Sequence, residues 1–138
     1  MIAKPAARLI KASTKASTKV PTDKQHIGQA AEDAAAALLQ QQGLQLIERN
    51  FNCKMGEIDL ILQDQTQLVF VEVRFRKNQL FGGAAASVTL SKQKKLQKTA
   101  YFYMSRWQQP PACRFDVLAM TFDSNQQIIC ENWIKNAF

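Results

Sequence analysis

Two runs of alternating residues, Glu57 to Leu62 and Leu68 to Phe75, constrain this chain more than any other feature. Both are rich in β-branched and apolar side chains, and the polar stretch QDQTQ separates them, so they predict a β-hairpin. Side chains alternate between the faces of a strand. Ile58, Leu60 and Leu62 share parity on the first strand, as do Val69, Val71, Val73 and Phe75 on the second, and these predict one continuous apolar face. The opposite face carries Glu57, Asp59 and Ile61 on one strand and Phe70, Glu72, Arg74 and Arg76 on the other.

Register decides what those charges do. A turn between Gln65 and Thr66 sets Asp59 opposite Glu72 and Glu57 opposite Arg74. Opposed residues have Cβ atoms about 5 Å apart, and two carboxylates about 4 Å apart repel by roughly 4 kcal/mol at an effective dielectric near 20. A divalent cation relieves that repulsion, since Mg²⁺ takes hard oxygen ligands and keeps waters or phosphate oxygens in its other positions. A turn one residue later pairs Asp59 with Arg74 and Glu57 with Arg76, a ladder of surface ion pairs that implies no activity. Neither turn has the Asn-Gly or Asp-Gly sequence that fixes a register, so spacing leaves both open.

The rest of the chain supplies a frame for the hairpin. HIGQAAEDAAAALLQQQ, from His26 to Gln42, is built of strong helix formers, and Gly43 follows as a stop. Leu44 to Phe51 reads as a strand, and Asn52 to Met55 as a turn into the hairpin. Lys77 to Leu90, with Gly82 and Gly83, has neither period and reads as a mobile connection. Ser91 is a candidate N-cap for a second helix, whose stripe of Leu96, Ala100, Tyr103, Met104 and Trp107 ends before Pro110 and Pro111. That stripe is core. CRFDVLAMTF and QQIICENWI then predict two closing strands joined by DSNQ. The order α-β-β-β-α-β-β, with a long link from the third strand to the fourth, predicts an α/β fold with a mixed sheet of about five strands flanked by helices.

A length of 138 residues fits one core and one domain, residues 25–138. Residues 1–24 hold the near-repeat KASTKASTK, too poor in apolar surface to fold, and predict a disordered basic tail. The net charge of +7 suggests an anionic partner, yet +5 of it lies in that tail, where Lys4, Arg8, Lys11, Lys15, Lys19 and Lys24 face only Asp23. Cys53, Cys113 and Cys130 fit neither a disulfide framework nor a metal knuckle and suit a reducing cytoplasm. No apolar run is long enough for a membrane helix, and the N-terminus lacks the apolar core expected of a secretory signal. His26 is the only histidine, which removes Ser-His-Asp machinery, and no Gly-rich phosphate loop supports a nucleotide cofactor. Asp116 beside Arg114 in RFDV reads as a structural ion pair.

The strings GEIDLI (56–61), VFVEVRFR (69–76), FGGAAASV (81–88), SKQKKL (91–96), RFDVLA (114–119) and WIKNAF (133–138) resemble the YraN family of bacterial proteins from about His26 to the C-terminus. That family is similar to Holliday-junction resolvases and to the restriction-endonuclease-like PD-(D/E)xK nucleases. The resemblance implies a Mg²⁺- or Mn²⁺-dependent endonuclease acting on DNA, branched or structured DNA included, with a homodimer by analogy. It casts Asp59 and Glu72 as metal carboxylates, adds Glu32 from the first helix to the same metal site, and places Arg74 where such nucleases usually carry lysine. Glu32 read alone is equally a solvated helix charge. Arginine stays charged and cannot serve as a base, though it stabilises developing negative charge. Lys92 is a candidate substitute for the missing lysine. Arg76, Lys77, Lys92 and Lys95 are candidates for nucleic-acid contacts. The alternative is a catalytically inactive nucleic-acid-binding or protein-interaction module that keeps the fold.

Overall fold

The computed structural model describes residues 23–77 and 88–138. Most of the basic tail and of the glycine-containing connection lies outside them.

Asp23 opens helix α1 (Lys24–Gln41) by accepting the His26 N–H at 2.8 Å. The helix ends where Gly43 adopts φ 94, with Gly43 N–H bonded to the Gln40 carbonyl and Leu44 N–H to that of Leu39. A residue with a Cβ reaches that conformation only with strain, which is why glycine stops the helix. Strands β1 (Gln45–Cys53), β2 (Gly56–Asp64) and β3 (Gln67–Phe75) follow, then helix α2 (Leu90–Met104), β4 (Cys113–Phe122) and β5 (Ile128–Ile134). The N-cap of α2 is Thr89, whose hydroxyl accepts the Lys92 N–H at 3.2 Å; the expected cap, Ser91, lies inside the first turn. Both hydroxyls suit a cap, and the β/extended backbone of Thr89 decides between them.

The five strands form one sheet in sequence order. β3 and β4 run parallel and the other neighbours antiparallel, so the link through α2 is the crossover that the sequence predicts.

A helix covers each face of the sheet, and this overturns the expected division of the hairpin into an apolar and a polar face. Leu60, Leu62, Val69 and Val71 pack with Ala31, Ala35, Ala36 and Leu39 of α1. Ile61 and Phe70, on the other parity, pack with Leu96, Ala100 and Tyr103 of α2 and with Phe115 and Val117 of β4. Asp59 and Glu72 remain within β2 and β3 between these two clusters. Ile58 also breaks parity: it joins the α2 side while Leu60 joins the α1 side.

Candidate active site

The β2–β3 ladder pairs Asp64 with Gln67, Leu62 with Val69 and Leu60 with Val71. This is the register of the turn at Gln65 and Thr66; the ladder ends at Leu60 and Val71, and Asp59 and Glu72 are the next residue on each strand. The alternative ladder, with Asp59 on Arg74, does not form. Gln65 makes the tight turn by taking φ 56 without an Asn-Gly signal.

The sheet opens at this level. The β1–β2 ladder pairs Arg49 with Leu60 and Phe51 with Ile58 but passes over Asn50 and Asp59 between them. Asn50 sits at φ 51, a left-handed conformation that asparagine tolerates better than most residues. On the other side, an Asp59 carboxylate oxygen accepts the Val73 N–H at 2.8 Å. A side chain thus occupies a backbone donor of the neighbouring strand.

Withdrawal from water is the main cause that pushes the Asp59 carboxyl up to about 8, with the Glu72 charge next; the Val73 bond opposes both, and Glu32 and Glu57 add smaller upward pushes. Glu72 is 6% exposed and meets Lys92 Nζ at 2.9 Å and Arg74 Nε at 3.6 Å. Lys92 therefore reaches from the first turn of α2 to the second carboxylate.

Glu32 follows Ala31 on the sheet-facing side of α1 and is 20% exposed, against 56% for its neighbour Asp33. Burial raises its pKa, countered by the Arg49 charge and a hydrogen bond with Asn50. Arg49 Nη2 lies 4.0 Å from Glu32 and 2.6 Å from Asp33. The three-acid metal set implied by the resemblance does not close: among the described residues, no three His, Cys, Asp or Glu side chains come close enough to hold one ion. Glu32 acts on Asp59 through its charge, while Arg49 and Asn50 engage it.

Beside the carboxylates a cleft of about 310 Å³ is lined by Gly56, Glu57, Thr89, Lys92 and Lys95, among others. Lys92 and Lys95 thus share one wall. Arg76 and Lys77 lie exposed just past the end of β3. Asn50 and Arg49 were not singled out by sequence; a short polar residue in mid-strand opposite an acid was the available signal. Asp116 is structural, as read: 1% exposed, it accepts from Arg114 Nε at 3.1 Å, Trp133 Nε1 at 2.9 Å and the Asn136 N–H at 2.9 Å.

The model of a family described as "Uncharacterised protein family UPF0102" matches residues 31–120. A UPF0102 protein of Janthinobacterium sp. (strain Marseille) is 57% identical over 116 residues, which cover 84% of this chain and 89% of the relative. One from Herminiimonas arsenicoxydans is 55% identical over the same shares. Among solved structures, Pyrococcus furiosus SfsA in complex with Ca²⁺ is similar at 14% identity and a TM-score of 0.39, covering 83% of this chain and 65% of that one.

Proposed function

We propose, for a chain that belongs to the UPF0102 or YraN family, that Asp59 and Glu72 are the carboxylates of a divalent-cation-dependent endonuclease acting on DNA. The observation that carries this reading is that Asp59 and Glu72 directly follow the last pair of the β2–β3 ladder, where burial and the Glu72 charge push the Asp59 carboxyl up to about 8. Perturbed groups of this kind gather at functional sites.

The donor set fits Mg²⁺ or Mn²⁺. Two carboxylates supply hard oxygens, and Mg²⁺ characteristically takes one or two such groups, leaving its other positions to water and phosphate. When bound, such an ion clamps a phosphate oxygen and lowers the pKa of an attacking water. The chain's own groups do the rest. Lys92 and Arg74 fix the orientation of the Glu72 carboxylate. Both place positive charge where a phosphodiester gathers negative charge on its way to cleavage. Lys92 and Lys95 on the cleft wall, with Arg76 and Lys77 beyond β3, attract the sugar-phosphate backbone. Glu32, in this reading, is a supporting charge and not a ligand. Among the described residues no helix is long and apolar enough to cross a membrane. All three cysteines are free, which agrees with a reducing cytoplasm.

One observation favours a second reading, the inactive module. Lys92 already neutralises Glu72 at 2.9 Å, as a structural ion pair would. Incubation of the purified protein with linear, flapped and four-way DNA in Mg²⁺ or Mn²⁺ separates the two. The nuclease reading expects cleavage that Asp59→Ala and Glu72→Ala each abolish. Cleavage surviving both substitutions overturns it.

A further inference from the structure

Helix α2 carries Lys92, Lys94, Lys95 and Lys98 and no acidic residue. The charge is of one sign, and its distribution is directional. Lys95, Lys98 and Phe102 stand at i, i+3 and i+7, one stripe of the helix surface. Both lysines are exposed, and Phe102 is 51% exposed. The stripe begins at the cleft beside the carboxylates, where Lys92 and Lys95 form the wall, and ends at an aromatic ring.

That ring is held in place. Phe102 lies 6.4 Å from Phe51 of β1, centroid to centroid, and tilted by 31°. Phe51 in turn meets the buried Tyr103 edge-on at 5.1 Å. Phe102 thus rests on a core-anchored partner and leaves half its surface to solvent. Tyr101, 65% exposed, immediately precedes it on the helix. Lysines in file leading to an exposed, propped aromatic match what unpaired nucleic acid needs: cations for its phosphates and a flat apolar face for a base. A duplex offers the phosphates but keeps its base faces stacked inside.

We propose that the Lys95–Lys98–Phe102 stripe is a track for single-stranded nucleic acid, with phosphates on the lysines and one unpaired base stacked on Phe102. The rise of an α-helix puts Phe102 about 10 Å from Lys95 along the axis, about three nucleotides at the spacing of a stacked strand. Glu57, which β2 contributes to the lining of the same cleft, repels phosphate and favours a strand lying along α2. The track deepens the nuclease reading by giving its substrate an unpaired segment beside the carboxylates. Its test needs no cleavage, so the two fail separately.

The measurement is fluorescence anisotropy of a labelled 12-nucleotide single strand and of the matching duplex, with the full chain, in EDTA and across a salt series. Phe102→Ala is expected to weaken single-strand binding about 5- to 140-fold, from the usual contribution of base–aromatic stacking, and to leave duplex binding unchanged. Lys95→Ala with Lys98→Ala is expected to flatten the single-strand salt slope by about 1.4, or ~0.7 per lost phosphate contact. Phe102→Trp keeps the platform, so it is expected to retain binding and to show indole quenching on addition of the strand. The proposal is overturned if Phe102→Ala binds the single strand as the parent does, if it loses duplex binding equally, or if Phe102→Trp is folded but shows no quenching. It is also overturned if the substitution abolishes only self-association, which would make this face a protein contact.

Discussion

Lys92 Nζ stands 2.9 Å from Glu72 Oε1, so the first turn of α2 is tied to the middle of the sheet through a carboxylate that is 6% exposed. The pair is asymmetric. Glu72 is enclosed, while Lys92 is 40% exposed and keeps much of its hydration. Removing the lysine leaves a buried charge with weaker compensation, though solvent on the lysine side limits the loss. Lys92→Met is expected to cost about 1 kcal/mol of stability, and most of that is expected to vanish in the Glu72→Gln background. Urea unfolding of the two single variants and the double variant checks the coupling.

Asp59 gives stability a pH dependence of defined sign. Its carboxyl titrates near 8 in the fold, against an ordinary 3.8 in the unfolded chain. Between those values the folded protein holds a proton that the unfolded chain has released. Stability therefore falls as pH rises through this window and levels off above about 8. Asp59→Asn has no proton to lose and is expected to flatten this trend. Urea midpoints from pH 5 to 9 provide the comparison, and parallel curves would speak against the raised pKa.

Gly56 begins β2 at φ 150, and a Cβ there would stand 3.0 Å from Thr99 Oγ1. Thr99 is fully buried and its hydroxyl donates to the Lys95 carbonyl at 2.8 Å, so it is not free to retreat. Gly56→Ala is expected to destabilise by about 1–3 kcal/mol through backbone strain and this contact. Its thermal midpoint should drop well below that of Gly28→Ala, where nothing lies within 4 Å of the added atom.

Asp116 tests the assignment from the other direction. It anchors Arg114, Trp133 and Asn136 around β4 and β5, and Arg114 Nη1 continues to Asp64 at 2.9 Å. Asp116→Ala strands several buried donors and is expected to destabilise by about 3 kcal/mol or more. Divalent-cation binding by the fraction that remains folded should be unchanged, whereas Asp59→Asn, which keeps the fold, should lose it.

The alternating runs of the hairpin, the alanine-rich first helix and the long link before β4 made the element order and the mixed sheet legible in sequence. Those signals are local or set by chain length. Asp59 and Glu72 were legible as candidates, but their opposition depended on whether Gln65 would take a positive φ, which no residue pattern fixes. The two-faced core was missed because Ile61 and Phe70 are only two apolar residues among charges; their burial comes from α2, a helix that begins 15 residues after β3 ends. The Lys92–Glu72 contact escaped for the same reason, since a crossover helix sets it. Arg49 and Asn50 engage Glu32 across the β1–α1 packing, another tertiary contact that local pattern does not fix.

Calorimetric titration of the metal-free protein with Mn²⁺ at pH 7 and pH 8.5 tests the carboxylate pair most directly. Because Asp59 must lose its proton to ligate, one ion is expected to bind, more tightly at pH 8.5 than at pH 7, with proton release at the lower pH and no binding in Asp59→Asn. Binding that is absent at both pH values, or that persists unchanged in Asp59→Asn, would contradict the account.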